Sequence, residues 1–226
     1  MKSYFFTGTD TDVGKTVITA GFARAFSNFG LDIGVMKPFA AGKKHKSTFQ
    51  SEDVEFLAKA ARVNDPEELI NPQFFPIPAS PYTASLNLDM NVNLELIHSK
   101  FKELIKIHDY LLVEGMGGIM TPILKNYYVA DLIRDFNLST IIVSRTKIGT
   151  INHSIMTIQQ CKNYGLDVKG IIINDFDHDG YPYSDLKRDL EGLTDVSVLG
   201  VIPKFNSLDI ELISNYISDN FDLSEF

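Results

Sequence analysis

One cysteine, Cys161, serves the whole 226-residue chain. A lone thiol excludes an intramolecular disulfide and a thiolate metal cluster, which fits a reducing cytosol. The plain reading of Cys161 is a small buried apolar residue. Positive charge is also short: 21 Lys and Arg against 29 Asp and Glu leave a net charge of −8. Such a balance is a poor start for holding a polyanion, so no nucleic-acid partner is expected. No run approaches the ~20 consecutive apolar residues of a membrane span. Met1-Lys2-Ser3 leads directly into a strand pattern, without a basic region and long apolar segment, so the expectation is a cytoplasmic protein with no secretory signal and no membrane partner. Repeats and linkers are lacking too. What is present, 44% hydrophobic residues, suffices for a sizeable core in one α/β domain spanning residues 1–226.

The most informative stretch is Gly8-Thr9-Asp10-Thr11-Asp12-Val13-Gly14-Lys15-Thr16, which follows the apolar Tyr4-Phe5-Phe6-Thr7 and precedes a helical pattern. Strand, turn and helix in that order aim backbone N–H groups and the positive end of a helix dipole at one point, as a phosphate needs. Gly14 permits close backbone approach, Lys15 supplies a compact cation, and the Thr16 hydroxyl can hold Mg²⁺ bridging phosphates. The usual G-x-x-x-x-G-K-[ST] spacing asks for glycine at position 9, where Thr9 stands; the glycine is one residue earlier, so this loop is one residue longer.

Near-continuous apolar strands at residues 33–36, 110–113, 140–143, 168–173 and 196–202 alternate with helical patterns. That alternation predicts a mostly parallel sheet with helices on both faces. In such sheets ligands sit beyond the C-terminal ends of the strands. Lys37 follows Met36 at that edge, and no partner for its ammonium is evident in sequence. Glu114 follows Val113 there, beside the glycines of Gly115-Met116-Gly117-Gly118, where an acid next to a phosphate loop holds Mg²⁺ or orients its water. Asp53, in the first turn of a predicted helix from Ser51, is either a complement to the helix dipole or a metal ligand. The basic run Lys43-Lys44-His45-Lys46 reads as a solvated loop. Residues 66–81, with five prolines, read as an irregular loop covering one end of the sheet. The anionic tail from Ser207, with Ile210, Ile213, Tyr216 and Ile217 on one face, reads as a helix docked on its own protein. Residue chemistry thus reaches phosphoryl transfer from an ATP-type triphosphate with Mg²⁺.

The long phosphate loop, Lys37-Pro38, Val113-Glu114-Gly115-Met116-Gly117-Gly118 with Thr121-Pro122, Lys147-Ile148-Gly149-Thr150-Ile151-Asn152-His153 and Asn174-Asp175 together resemble the dethiobiotin synthetase family. The correspondence runs from the first strand to about Pro203. The resemblance implies a P-loop NTPase fold and an ATP- and Mg²⁺-dependent carboxylation of 7,8-diaminopelargonic acid with CO₂. Dethiobiotin forms through a carbamate and a carbamic-phosphoric anhydride, a step of biotin biosynthesis. By the same resemblance Lys15 and Lys37 are the cations around the reacting groups, Thr11 sits by the transferred phosphate, and Thr16, Asp53 and Glu114 hold Mg²⁺. Asp12, Val13, Gly14 and Val17 wrap the phosphates together with Gly115, Met116 and Gly117. Asn174 and Asp175 read the base, since a carboxamide pairs a donor and an acceptor with adenine N6 and N7; Pro203, Lys204 and Phe205 line the base pocket, with Asp209 a further candidate. Ala41, Gly117 and Gly118 join Lys37 around the substrate. The family is a homodimer, so Ile148, Gly149, Thr150 and Asn152 serve the partner's site, while His153 is structural. Ala41 departs from the family, which places a hydroxyl residue there; one hydrogen bond worth ~1 kcal/mol is lost.

Two rivals share the loop. A small-molecule kinase would add a mobile arginine-rich lid, whereas Arg24, Arg62, Arg134, Arg145 and Arg188 are scattered singly. A partition-type ATPase switch would carry a second lysine where Asp10 stands. Neither fits as well, and the choice of ATP over other triphosphates rests on Asn174 alone.

Overall fold

Tyr4, Phe5 and Phe6 leave β1 (Lys2–Gly8) no polar face, and the strand takes a central place in the sheet, between two neighbours. The computed structural model describes residues 2–45, 49–175, 177 and 179–226; Lys46 of the basic run lies outside the described residues. After β1 come α1 (Lys15–Asn28), β2 (Ile33–Met36), β3 (Phe39–Ala41), α2 (Glu52–Ala61), α3 (Glu67–Ile70), β4 (Gln73–Phe75), α4 (Pro81–Leu88) and α5 (Leu94–Ile107). The chain continues through β5 (Tyr110–Gly118), β6 (Pro122–Leu124), β7 (Tyr127–Tyr128), α6 (Val129–Phe136), β8 (Ser139–Arg145) and α7 (Thr150–Asn163). It closes with β9 (Val168–Asp175), α8 (Tyr183–Leu193), β10 (Val198–Pro203) and α9 (Ile210–Asn220).

Six strands form one parallel sheet in the order β10-β9-β8-β1-β5-β2. Because side chains alternate across a strand, two apolar layers form. Phe6, Leu112, Ile141 and Ile172 pack with α1, α2 and α9 on one face. Phe5, Leu111, Ile142, Ile171 and Ile173 pack with α5, α6, α7 and α8 on the other. Each fully buried side chain of this size contributes about 1.5–3 kcal/mol of hydrophobic stabilisation. Cys161 belongs to the second layer, fully buried, and burial pushes its thiol up to about 12, so it stays unreactive.

Two expectations are corrected. Residues 66–81 are not irregular throughout: Pro66 caps α3, β4 pairs in parallel with β3, and α4 begins at Pro81 with the Ser80 hydroxyl accepting from the Thr83 amide at 3.2 Å. Proline fits the first turn of a helix, where its missing N–H is not needed. Nor does the strand from Tyr110 end at Val113. It runs on to Gly118, with a register shift against β1 between the pairs Phe6–Glu114 and Gly8–Gly118. Glu114 therefore lies within the strand and not beyond its tip.

Candidate functional site

The phosphate loop is held in a shape only some residues can adopt. Asp12 and Gly14 both have positive φ, 57° and 91°. At Gly14 a Cβ would also stand 2.0 Å from Asn174 Nδ2, which donates to the Val13 carbonyl at 3.0 Å. Glycine is required there on both counts. The additional residue in the loop has a use: the chain curls so that the Asp10 carbonyl accepts from Lys15 Nζ at 3.0 Å. A Cβ on Gly8 would come 2.9 Å from that ammonium and 2.7 Å from that carbonyl. The Thr11 amide donates to Asp10 Oδ1 at 2.7 Å. No side chain caps the start of α1, so the first N–H groups of the helix remain for an anion. Lys15 is buried, and desolvation lowers its pKa to about 8, against the attraction of Glu114. An anion beside it would reverse that shift.

Three elements bring a second cation to the same place. Lys37, just past β2, is buried; its Nζ donates to Glu114 Oε1 of β5 at 2.5 Å and to Asp53 Oδ2 of α2 at 2.8 Å. So the ammonium without an evident partner in sequence has two. Burial alone would drive it neutral, but Glu114 and Asp53 outweigh that cost and hold its pKa above the ordinary lysine value. Thr16 Oγ1 donates to the same Glu114 oxygen at 2.8 Å. The other oxygen, Glu114 Oε2, is buried and has no hydrogen-bond partner among the described residues. An orphaned carboxylate oxygen costs free energy unless something meets it. Asp53 is both a residue of the first turn of α2 and the partner of Lys37, so both sequence readings of it apply.

Among the described residues no group of three or more His, Cys, Asp or Glu is arranged to hold a metal. One hydroxyl, Thr16, and two carboxylates, Asp53 and Glu114, are instead all oxygen donors, the set a small hard cation accepts when substrate phosphates complete its shell. The unmet Glu114 Oε2 makes this set a fit for Mg²⁺.

These groups line a cleft of about 700 Å³ beyond the C-terminal ends of the strands, within the range of small-molecule sites. Thr11, Asp12, Gly14, Lys15, Thr16 and Val17 form its floor. Lys37, Ala41, Asp53 and the run Glu114 to Gly117 form one wall, and Asn174, Pro203, Lys204 and Phe205 the opposite one. Val13 is buried beneath the loop, and Gly118 pairs with Gly8; neither lines the cleft, nor does Asp175. Asp209 is the N-cap of α9, its Oδ1 accepting from the Glu211 and Leu212 amides at 3.0 and 3.3 Å. Ile148, Gly149, Thr150 and Asn152 stand apart at the start of α7. Ile148 is 73% exposed, and the Thr150 hydroxyl meets Ser144 Oγ at 2.6 Å.

Pro78, Ala79, Leu208 and Ile213 line the cleft and were not among the sequence candidates. Pro78 and Ala79 sit in the proline-rich segment that was expected to cover one end of the sheet, which was the available signal. Leu208, 71% exposed, carried none, and Ile213, fully buried, was expected only on the docking face of the tail helix, because the place of both depends on how α9 docks against α1.

A family model described as an AAA domain matches residues 2–211. The chain is 60% identical over 223 residues to ATP-dependent dethiobiotin synthetase BioD of Nitrosopumilus maritimus, covering 99% of this chain and 98% of that protein. It is 37% identical to the protein of the same name from Bacillus velezensis, covering 100% and 97%. Among solved structures it resembles a ParA family ATPase from Chlorobium tepidum, with a TM-score of 0.58 at 16% identity, covering 95% of this chain and 98% of that one. That likeness shows the fold alone, a parallel sheet with helices on both faces.

Proposed function

The chain belongs to the ATP-dependent dethiobiotin synthetase family, ligases that form carbon–nitrogen bonds, and on that premise we propose that it carboxylates 7,8-diaminopelargonic acid and closes it to dethiobiotin, a step of biotin biosynthesis. In this reading a substrate amine nitrogen attacks CO₂, forming an N–C bond and losing a proton to give a carbamate. A carbamate oxygen then attacks the γ-phosphorus of ATP, the bond to the ADP oxygen breaks, and a carbamic-phosphoric anhydride forms. The second amine attacks the carbonyl carbon, and inorganic phosphate leaves as the cyclic urea closes.

The observation that carries the reading is two buried ammonium groups, Lys15 and Lys37, facing one cleft with an unmet carboxylate oxygen of Glu114. A carbamate is a weak anionic nucleophile and the γ-phosphate is anionic, so their approach needs fixed positive charge in a site largely shut off from water. Lys37, its pKa held up by Asp53 and Glu114, supplies that charge and does not act as a base. Lys15 and the N–H groups opening α1 hold the terminal phosphates. A Mg²⁺ ion held by Thr16, Asp53 and Glu114 would neutralise phosphate oxygens. Asn174, Pro203 and Phe205 frame the base. A homodimer in which Ile148 to Asn152 reach the partner's substrate fits the exposure of Ile148; a single-subunit mass in solution would remove that part. The whole reading is tested with the diamino acid, hydrogencarbonate and Mg-ATP, following the cyclic urea by mass spectrometry. Formation of the urea with matching phosphate release is expected, and its absence overturns the reading.

A further inference from the structure

The basic run between β3 and α2 has no part in the chemistry above, yet it lies against the cleft. Gly42, Lys43, Lys44 and His45 line an open hollow of about 580 Å³ together with Ser51 and Phe74. Ala41 and Asp53 border both this hollow and the cleft, so the two spaces adjoin.

The charges around the hollow are unequally matched. Asp53 is bound by Lys37 at 2.8 Å, and Glu52 by His45 Nδ1 at 3.1 Å. His45 Nε2 lies 3.1 Å from Glu55, and the His45 amide donates to Gln50 O at 2.8 Å, which fixes the loop to the start of α2. Lys43 and Lys44 are exposed and, among the described residues, have no ion-pair partner. Two exposed cations with no ion-pair partner among the described residues thus stand on a hollow that adjoins the cleft, beside the exposed Glu52 carboxylate, in a protein whose net charge is −8. The phosphate loop itself presents exposed Asp10 and Asp12, so an anion approaching along that loop is repelled.

Resting on the function proposed above, we infer that Lys43 and Lys44 form a capture site for the polyphosphate of the nucleotide, met before the ligand enters the cleft. The physical reason is that an overall negative field slows a tetra-anionic ligand or its Mg²⁺ complex, while a local pair of cations beside the entrance raises its concentration there. Neither lysine lines the cleft, so the effect falls on entry and not on the bound state. Being exposed, the two charges act through water and are screened by salt.

The test is stopped-flow binding of ribose-labelled fluorescent ATP with Mg²⁺ to the full chain. It compares wild type, Lys43→Gln/Lys44→Gln and Lys43→Arg/Lys44→Arg at about 0.01 M and about 1 M ionic strength, where the screening length is about 30 Å and 3 Å. The Gln pair is expected to associate about fivefold more slowly at low salt and to match wild type at high salt, with the dissociation rate and kcat unchanged. The Arg pair, which keeps the charge, is expected to match wild type throughout. Equal association rates at low salt, or a change confined to dissociation, overturn the inference while nucleotide binding by the wild type stands. Failure of the wild type to bind the nucleotide at all overturns the parent reading with it.

Discussion

Strands β2 and β5 lie side by side, and each end of the pair carries a basic side chain between two carboxylates. At the ligand edge Lys37 sits between Asp53 and Glu114. At the opposite edge His108, just before β5, places Nδ1 2.7 Å from Asp32 and Nε2 2.9 Å from Asp65. The difference lies in what is left over. Both ring nitrogens of His108 are used, and its ring fills the space beside Gly34, where a Cβ would meet it at 2.5 Å. At the Lys37 end one oxygen of Glu114 is unmet and a large cleft opens beside it. A saturated cluster ties loops together; an unsaturated one beside a cavity waits for a ligand.

If that distinction is right, the two ends respond differently to the same kind of damage. The largest effect is expected at Lys37: Lys37→Ala should lower turnover by about 10²–10³-fold, the scale of a lost electrostatic stabiliser, while circular dichroism keeps the α/β signature. Wild-type turnover in that variant would erase the contrast. Next, Glu114→Gln should raise the Mg²⁺ concentration for half-maximal rate by about tenfold. An unchanged Mg²⁺ titration would take Glu114 out of the ligand set.

At the closed end the expected loss is in stability instead of rate. His108→Ala should lower the unfolding free energy by about 1–3 kcal/mol, toward the lower figure because Asp32 is half exposed, with kcat unchanged. The sign with pH follows from the pKa. Desolvation pushes the imidazole down, but hydrogen bonds to Asp32 and Asp65 outweigh it and raise the folded-state value. The stabilisation is therefore complete below the unfolded pKa near ~6.5 and fades as pH rises through the higher folded value. Urea melts of wild type and variant across that window should converge at the alkaline side; a constant gap would show that His108 acts by packing alone. The smallest effect concerns the wall of the open end: Ala41→Ser restores a hydroxyl and should lower the KM for the diamino acid by up to about fivefold, from ~1 kcal/mol of hydrogen bonding. No change would mean that the substrate does not reach position 41.

The open end was partly legible in sequence, and the closed end was not. Lys15 and Thr16 are neighbours in a local pattern, and Lys37 and Glu114 each follow an apolar run, so the parallel sheet placed all of them at one edge. The Asp32–His108–Asp65 cluster has no such signal, since its members are 76 and 43 residues apart and none belongs to a motif. The N-cap role of Asp209 was not legible, because a carboxylate near a base pocket and a helix N-cap look alike until the helix start is known. The proline-rich segment misled because proline's effect depends on whether it begins a helix or interrupts one.

Short-range physics was enough for the phosphate loop and its glycines, for the alternation of buried strand and amphipathic helix, and for the edge where ligands belong. Those follow from backbone sterics and side-chain periodicity, which act over a few residues. The sharing of one Glu114 oxygen by Thr16 and Lys37, the reach of Asp53 to the same ammonium, the wall made by Pro78 and Leu208, and the sealing of His108 at the far edge belong to the tertiary structure. They depend on which strands the crossovers set side by side and on how far each helix is pushed by its neighbours, and no local pattern of residues carries that information.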